Sequence, residues 1–280
     1  MKTEATLDAA PSQGGEHGTL VKGARSIAFQ RIPPTRASAP WLLFSNSLLT
    51  SSAVWAAQVA DLRGRAGLVL YDQAGHGRSS TPTGTVGFDL LSDDLLSVLD
   101  AAGVETCCGV GLSMGVPTVL GAYAKAPKRF AALVLMDGQA KTAAGGAAAW
   151  AERMAAAQAQ GLRPFCEALV GRWMPHCADA ALRARLVEMM AATPMEGFLA
   201  CASALQDYDV SAVLGEISCP VQLVAGALDG TIPDSMARVL LPAIPGARLD
   251  VIEGAGHIPC FEQPEAVNVL LARVLQELGT

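Results

Sequence analysis

The sequence predicts an α/β protein: an open, mostly parallel sheet flanked by helices, interrupted late in the chain by a helical insertion. Three observations point to this. Short apolar runs recur without polar alternation, as strands do when both faces are covered. Helical stretches separate these runs, which implies right-handed βαβ units. From residue 138 to about 212 the rhythm breaks, and no strand-like run appears.

Each strand is bounded by Gly, Pro, Ser or Asp. The runs are WLLFS at 41–45, AGLVLYD at 66–72, ETCCGVG at 105–111, AALVLMD at 131–137, CPVQLVAG at 219–226 and ARLDVIEG at 247–254. The helical stretches VWAAQVADL and DLLSDDLLSVLDAAG follow the first two runs, and VPTVLGAYAKAP opens at Val116 with Pro117 tolerated in its first turn. The insertion holds AAAWAERMAAAQAQG, ALRARLVEMMAATP and FLACASAL. Its Trp150, Phe165, Trp173, Met189, Met190 and Phe198 supply apolar surface to bury, so it reads as a cap over the sheet. The expected division is a flexible extension at 1–18, a core at 19–137 and 213–280, and a helical cap at 138–212.

Composition narrows the function classes. The 280 residues are 51% hydrophobic and 16% charged, which suits one compact domain with a large core. A net charge of −6 leaves no basic surplus for phosphates, so nucleic acid is not an expected partner. No apolar run reaches the length of a membrane span, and the polar start MKTEATLDAAPSQGGEHGT is unlike a secretory signal. The seven cysteines lie mostly in apolar stretches (Cys107, Cys108, Cys166, Cys201, Cys219, Cys260), as reduced thiols in a cytoplasmic protein would. No Cys/His spacing resembles a metal site, and no cofactor is expected.

The stretch GVGLSMGVPT at 109–118 contains Gly111-Leu112-Ser113-Met114-Gly115, a match to G-x-S-x-G. Such a match arises by accident roughly 0.15 times in a chain this rich in glycine, so context must decide. The context is a strand running in and a helix running out, the setting of a nucleophile elbow. Glycines two residues to either side let strand and helix cross closely, and the helix turns its N–H groups toward an oxyanion.

A serine hydroxyl needs a base, and the base needs an acid to orient it. Of four histidines, His17 lies in the polar start, His76 in the turn GHGRS and His176 in the insertion. His257, in EGAGHIPCFEQPEAV, follows the last strand at the carboxyl edge of the sheet, where the elbow also opens. The acid should come between the serine and the histidine. Asp229, in VAGALDGTIP, is preferred, and Asp137 at the end of AALVLMD is the alternative. The oxyanion donors expected are the N–H of Met114, directly after the nucleophile, and that of Leu48 in SNSLLTSSAVW.

With these pieces in place, the chain resembles the α/β-hydrolase superfamily from about residue 18 to its end, and within it the 3-oxoadipate enol-lactonases. SNSLLTSSAVW, LVLYDQAGHGRSS, CGVGLSMG and GFLACASALQDYDV leading into CPVQLVAGALDGTIP carry the resemblance. It implies the α/β-hydrolase fold with a helical cap. GRWMP at 171–175 is similar to the Arg-Trp motif of that family's cap, and Lys141 falls where the family tends to place a basic residue. The resemblance therefore implies a substrate carboxylate met by Lys141 or Arg172, with Trp173 beside it. The departures are Leu49 and Val116, where the family usually has glycine, and Gln73-Ala74, where it has an arginine.

The expected reaction is hydrolysis of a small-molecule lactone or ester through an acyl-enzyme, with a lactonase favoured. A general carboxylesterase or cofactor-free perhydrolase would use the same triad. A non-catalytic receptor on a hydrolase scaffold is the remaining reading. The sequence is compatible with a homo-oligomer but does not specify one.

Overall fold

The computed structural model describes residues 4–10, 15–84 and 86–279. Among the described residues, nine strands form one sheet: β1 (Glu4–Ala10), β2 (Gly15–Lys22), β3 (Arg25–Ile32), β4 (Trp41–Ser45), β5 (Gly67–Tyr71), β6 (Cys107–Leu112), β7 (Phe130–Met136), β8 (Val221–Gly226) and β9 (Arg248–Ile252). Their order is β1-β2-β3-β5-β4-β6-β7-β8-β9. The first three are antiparallel to their neighbours, and β4 through β9 run parallel. The sheet is therefore mostly parallel, as expected.

Alternation within the parallel strands explains why both parities are apolar. Leu42 and Phe44 of β4 join one core cluster and Leu43 the other; Leu68 and Leu70 of β5 oppose Val69 and Tyr71 in the same way. The first cluster lies under α1 (Ala56–Leu62), the C-terminal helix Pro264–Leu278 and the cap. The second lies under α2 (Phe88–Ala101) and α3 (Gly115–Lys125). Strands β4 to β8 thus bury apolar side chains on both faces of the sheet.

The N-terminal stretch departs from expectation. The sequence suggests a flexible extension over residues 1–18, but Glu4–Ala10 and Gly15–Lys22 are paired strands, with residues 1–3 and 11–14 outside the described set. No apolar run announces β2 because only Gly15, Gly18 and Leu20 are buried, two of them glycines. Gly18 lies against the ring of Phe29, where a Cβ would come within 2.3 Å. The main-chain ladder, which carries no side-chain signature, holds this segment.

Between β7 and β8 lie four α-helices: α4 (Gly146–Gln160), α5 (Leu162–Trp173), α6 (Ala180–Ala191) and α7 (Met195–Gln206). The insertion is bolted to the sheet edge at several points. Thr193 Oγ1 donates to the Leu49 carbonyl, and Gly75 and Gly197 approach so closely that a Cβ on Gly197 would sit 2.2 Å from the Gly75 carbonyl oxygen. All seven cysteines are free, with Cys177 and Cys219 half-buried and the rest buried. Among the described residues, no helix is long and apolar enough to cross a membrane.

Candidate active site

Ser113 stands between β6 and α3 with φ of 53°, a left-handed conformation that costs a non-glycine residue about 1 kcal/mol or more. Two hydrogen bonds fix it there: its N–H donates to the Met136 carbonyl at 2.8 Å, and its carbonyl accepts from Val116 at 2.9 Å. The flanking glycines have distinct jobs. A Cβ on Gly111 would lie 2.5 Å from the Gly115 carbonyl oxygen, and one on Gly115 would lie 2.1 Å from that of Ser45. Strand, helix and neighbouring strand therefore meet backbone to backbone.

His257 Nε2 lies 2.9 Å from Ser113 Oγ, and its Nδ1 lies 2.7 Å from Asp229 Oδ2. The structure thus brings together the three residues expected from sequence. The Asp229 turn is tied to the histidine loop by main-chain bonds, with Ala227 N–H donating to Ile252 and Leu228 N–H to Ala255. Gly256 leaves room for the cap: its Cβ would fall 2.0 Å from the Trp173 carbonyl oxygen, which accepts the His257 N–H at 2.8 Å. The Trp173 and His257 rings stand 4.8 Å apart, tilted by 40°. Trp173 therefore supports the imidazole as well as lining the cavity, a role the sequence did not suggest.

Asp137, the alternative acid, does not bond to His257. Its Oδ1 accepts the Gly226 N–H at 2.8 Å, and it is buried at the end of β7. Burial, and next the Asp229 carboxyl, push its own carboxyl well above the usual carboxylate range.

The three residues open into a cavity of about 550 Å³. Leu48 and Met114 line it beside Ser113, and among the described residues no acceptor takes either N–H. The loop carrying Leu48 is braced by a buried histidine. His76 Nε2 accepts the Leu49 N–H at 2.9 Å, so the proton must reside on Nδ1, which faces the Ala74 carbonyl at 3.0 Å. Burial lowers His76 below the ordinary imidazole value, in keeping with this neutral role. Leu49 holds φ of 65°, the conformation natural to the glycine that the resemblance expects there. Gln73, standing for the expected arginine, donates to the Asn46 carbonyl and accepts from Thr118 Oγ1, linking the same loop to α3.

Lys141, Arg172 and Trp173 all line the cavity, together with an unforeseen cation, Arg153. The Arg153 guanidinium lies 4.5 Å from the Trp150 ring centroid. Burial, and then the nearby Arg172 charge, lower its pKa. No carboxylate pairs with Arg153 or Arg172 among the described residues. Trp150 and Arg153 are three apart on α4, and that spacing was the available signal, since such residues share a helix face.

A family model for the α/β-hydrolase fold matches residues 40–264. The chain belongs to the α/β-hydrolase family. Among curated relatives of this hydrolase is 3-oxoadipate enol-lactonase 2 of Acinetobacter baylyi, 32% identical, covering 91% of this chain and 96% of that protein. Among solved structures, a hydrolase from Pseudomonas aeruginosa superposes with a TM-score of 0.84 at 30% identity, over 95% of this chain and 99% of the other. An enol-lactonase from Burkholderia xenovorans does so with a TM-score of 0.83 at 26% identity, over 91% and 98%. The family and these relatives support a hydrolase.

Proposed function

We propose that the protein is a serine hydrolase that opens a small anionic lactone or ester through an acyl-enzyme on Ser113. One observation carries this reading: a continuous hydrogen-bonded chain from Ser113 Oγ through the His257 ring to Asp229, open to the cavity. His257 takes the serine proton as Oγ attacks the carbonyl carbon. Asp229 stabilises the imidazolium, and the N–H groups of Leu48 and Met114 receive the oxyanion. The C–O bond breaks, His257 returns its proton to the leaving oxygen, and the acyl group remains on Ser113. A lactone leaves its alcohol tethered to that acyl group. Water deprotonated by His257 then releases the acid. The chemistry needs no cofactor.

The substrate class follows from charge. Arg153, Arg172 and Lys141 border the cavity, and two guanidiniums near each other without a carboxylate favour an anion supplied by the ligand. The enol-lactonase relatives favour a lactone. The division into a catalytic core (19–137 and 213–280) and a cap (138–212) assigns chemistry to the first and recognition to the second. The free cysteines support a cytoplasmic location. A second reading, a general carboxylesterase or perhydrolase, is favoured by the apolar wall of Phe165, Leu169, Phe198 and Leu205, which would receive a larger acyl group.

The test compares kcat/KM for lactones and linear esters, each with and without a remote carboxylate. A preference of tenfold or more for the carboxylate-bearing lactone, about the worth of one charged hydrogen bond, supports the proposal. A preference for neutral long-chain esters would select the second reading. Failure of a fluorophosphonate to label Ser113 would exclude both.

A further inference from the structure

Asp137 is not used by the steps above, yet its surroundings are unusual for a structural aspartate. It holds φ of 45°, a left-handed conformation for a non-glycine residue, and it is only 1% exposed. Its Oδ1 accepts from Gly226, whose carbonyl in turn accepts the Asp229 N–H at 3.1 Å. Its Oδ2 is buried with no donor to satisfy it. The group acting on it is another acceptor, the Asp229 carboxyl, and no cation pairs with Asp137 among the described residues. The remaining titratable neighbour is the Cys260 thiol on the turn after His257, which burial keeps neutral. Two carboxylates close together in a buried site do not both ionise. Asp229 bonds the imidazole and stands partly open to the cavity, whereas Asp137 is enclosed, so the proton belongs to Asp137.

We propose that Asp137 is a positioning residue of the triad, a neutral acid whose Oδ2–H donates to Asp229 while its Oδ1 holds the Gly226 N–H. Through both bonds it orients the turn that carries Asp229 and disperses part of the negative charge facing His257. The role in turnover rests on the hydrolase reading. The protonation state does not, and it can be read separately.

The first measurement compares unfolding midpoints of the parent and Asp137→Asn from pH 4 to 7. An aspartate in the unfolded chain releases its proton above about pH 3.8, while the native neutral acid keeps it. Parental stability therefore drops with rising pH relative to the asparagine variant, and the gap widens up to pH 7. A gap that stops growing by pH 5 overturns the proposal.

The second follows hydrolysis of p-nitrophenyl acetate against pH. Asp137→Asn, which keeps the acceptor and supplies an amide N–H donor, retains kcat/KM within about threefold with its acid limb unmoved. Asp137→Leu lowers kcat about tenfold, as expected for a lost buried hydrogen bond. It also moves the acid limb to higher pH, because Asp229 then carries its full charge. A lower-pH limb in the asparagine variant would reveal an ionised Asp137 and overturn the proposal, as would a leucine variant matching the parent. If the leucine variant does not fold, the asparagine variant decides alone. Parental protein that neither hydrolyses the ester nor takes up a fluorophosphonate defeats the hydrolase reading, leaving the midpoint comparison to decide the proton.

Discussion

Across one cavity the molecule holds its candidate functional groups in two different ways. At the sheet edge, Ser113, Asp229 and His257 sit on turns fixed by backbone against backbone, with Gly111, Gly115, Gly226 and Gly256 at contacts that admit no side chain. On the opposite wall, Trp150, Arg153, Phe165 and Arg172 project from cap helices, and the side chains themselves form the surface. The reacting atoms need fixed distances, and main-chain contacts leave few alternative arrangements. Recognition needs shape and charge, which side chains can vary while the catalytic frame stays the same. Damage at the first wall should therefore abolish chemistry or folding, and damage at the second should alter selectivity.

The largest break comes from Ser113→Ala. Turnover should drop on the order of 10⁶-fold, as when a triad nucleophile is removed elsewhere, while circular dichroism and the unfolding midpoint stay near the parental values. A wild-type rate from this variant would remove Ser113 from the chemistry.

Next in size is Gly115→Ala. The added Cβ would sit 2.1 Å from the Ser45 carbonyl oxygen, main chain that cannot rotate away. Overpacking of this kind should cost about 3 kcal/mol in denaturant unfolding. The matched substitution in the cap, Gly171→Ala, meets only the far end of Arg183 at 3.7 Å and should be nearly neutral. Equal costs would erase the contrast between the two walls.

Arg153→Gln sharpens the recognition side. KM for a carboxylate-bearing ester should rise about tenfold, the worth of one charged hydrogen bond, with kcat and neutral-ester kinetics unchanged. A matching loss on neutral esters would assign Arg153 to cap packing instead.

The smallest effect tests the brace beneath the oxyanion loop. His76 is lowered below its ordinary value of 6.5 by burial, so below pH 6.5 the unfolded chain binds a proton that the native protein refuses. Its stability contribution is complete above that pH and is lost as the pH falls, by up to about 1.4 kcal/mol per unit. From pH 7 to 5 the unfolding midpoint of the parent should fall relative to that of His76→Gln. An unchanged slope in the variant would mean other groups govern acid stability.

Several of these features were legible before any coordinates. Ser113 was marked by glycine spacing between a strand and a helix, and His257 by its position after the last strand. Asp229 and Asp137 both lie between Ser113 and His257 and both end a parallel strand at the same edge, so chain order does not separate them. Arg153 left only its three-residue spacing from Trp150 as a trace, because an arginine on an alanine-rich helix otherwise reads as an ordinary solvated charge. The β2 strand was missed because hydrogen-bonded main chain holds it where side chains are small or polar.

By itself, the sequence determined the parallel sheet, the cap and the candidate nucleophile, since apolar periodicity and glycine placement act over a few neighbouring residues. Tertiary structure alone decided that Asp229 faces His257 while Asp137 is enclosed, that Trp173 lies against the imidazole, and that two arginines share one wall. These are distances between groups far apart along the chain. Such distances arise only when the strands pair and the helices pack, and local sequence pattern carries no measure of them.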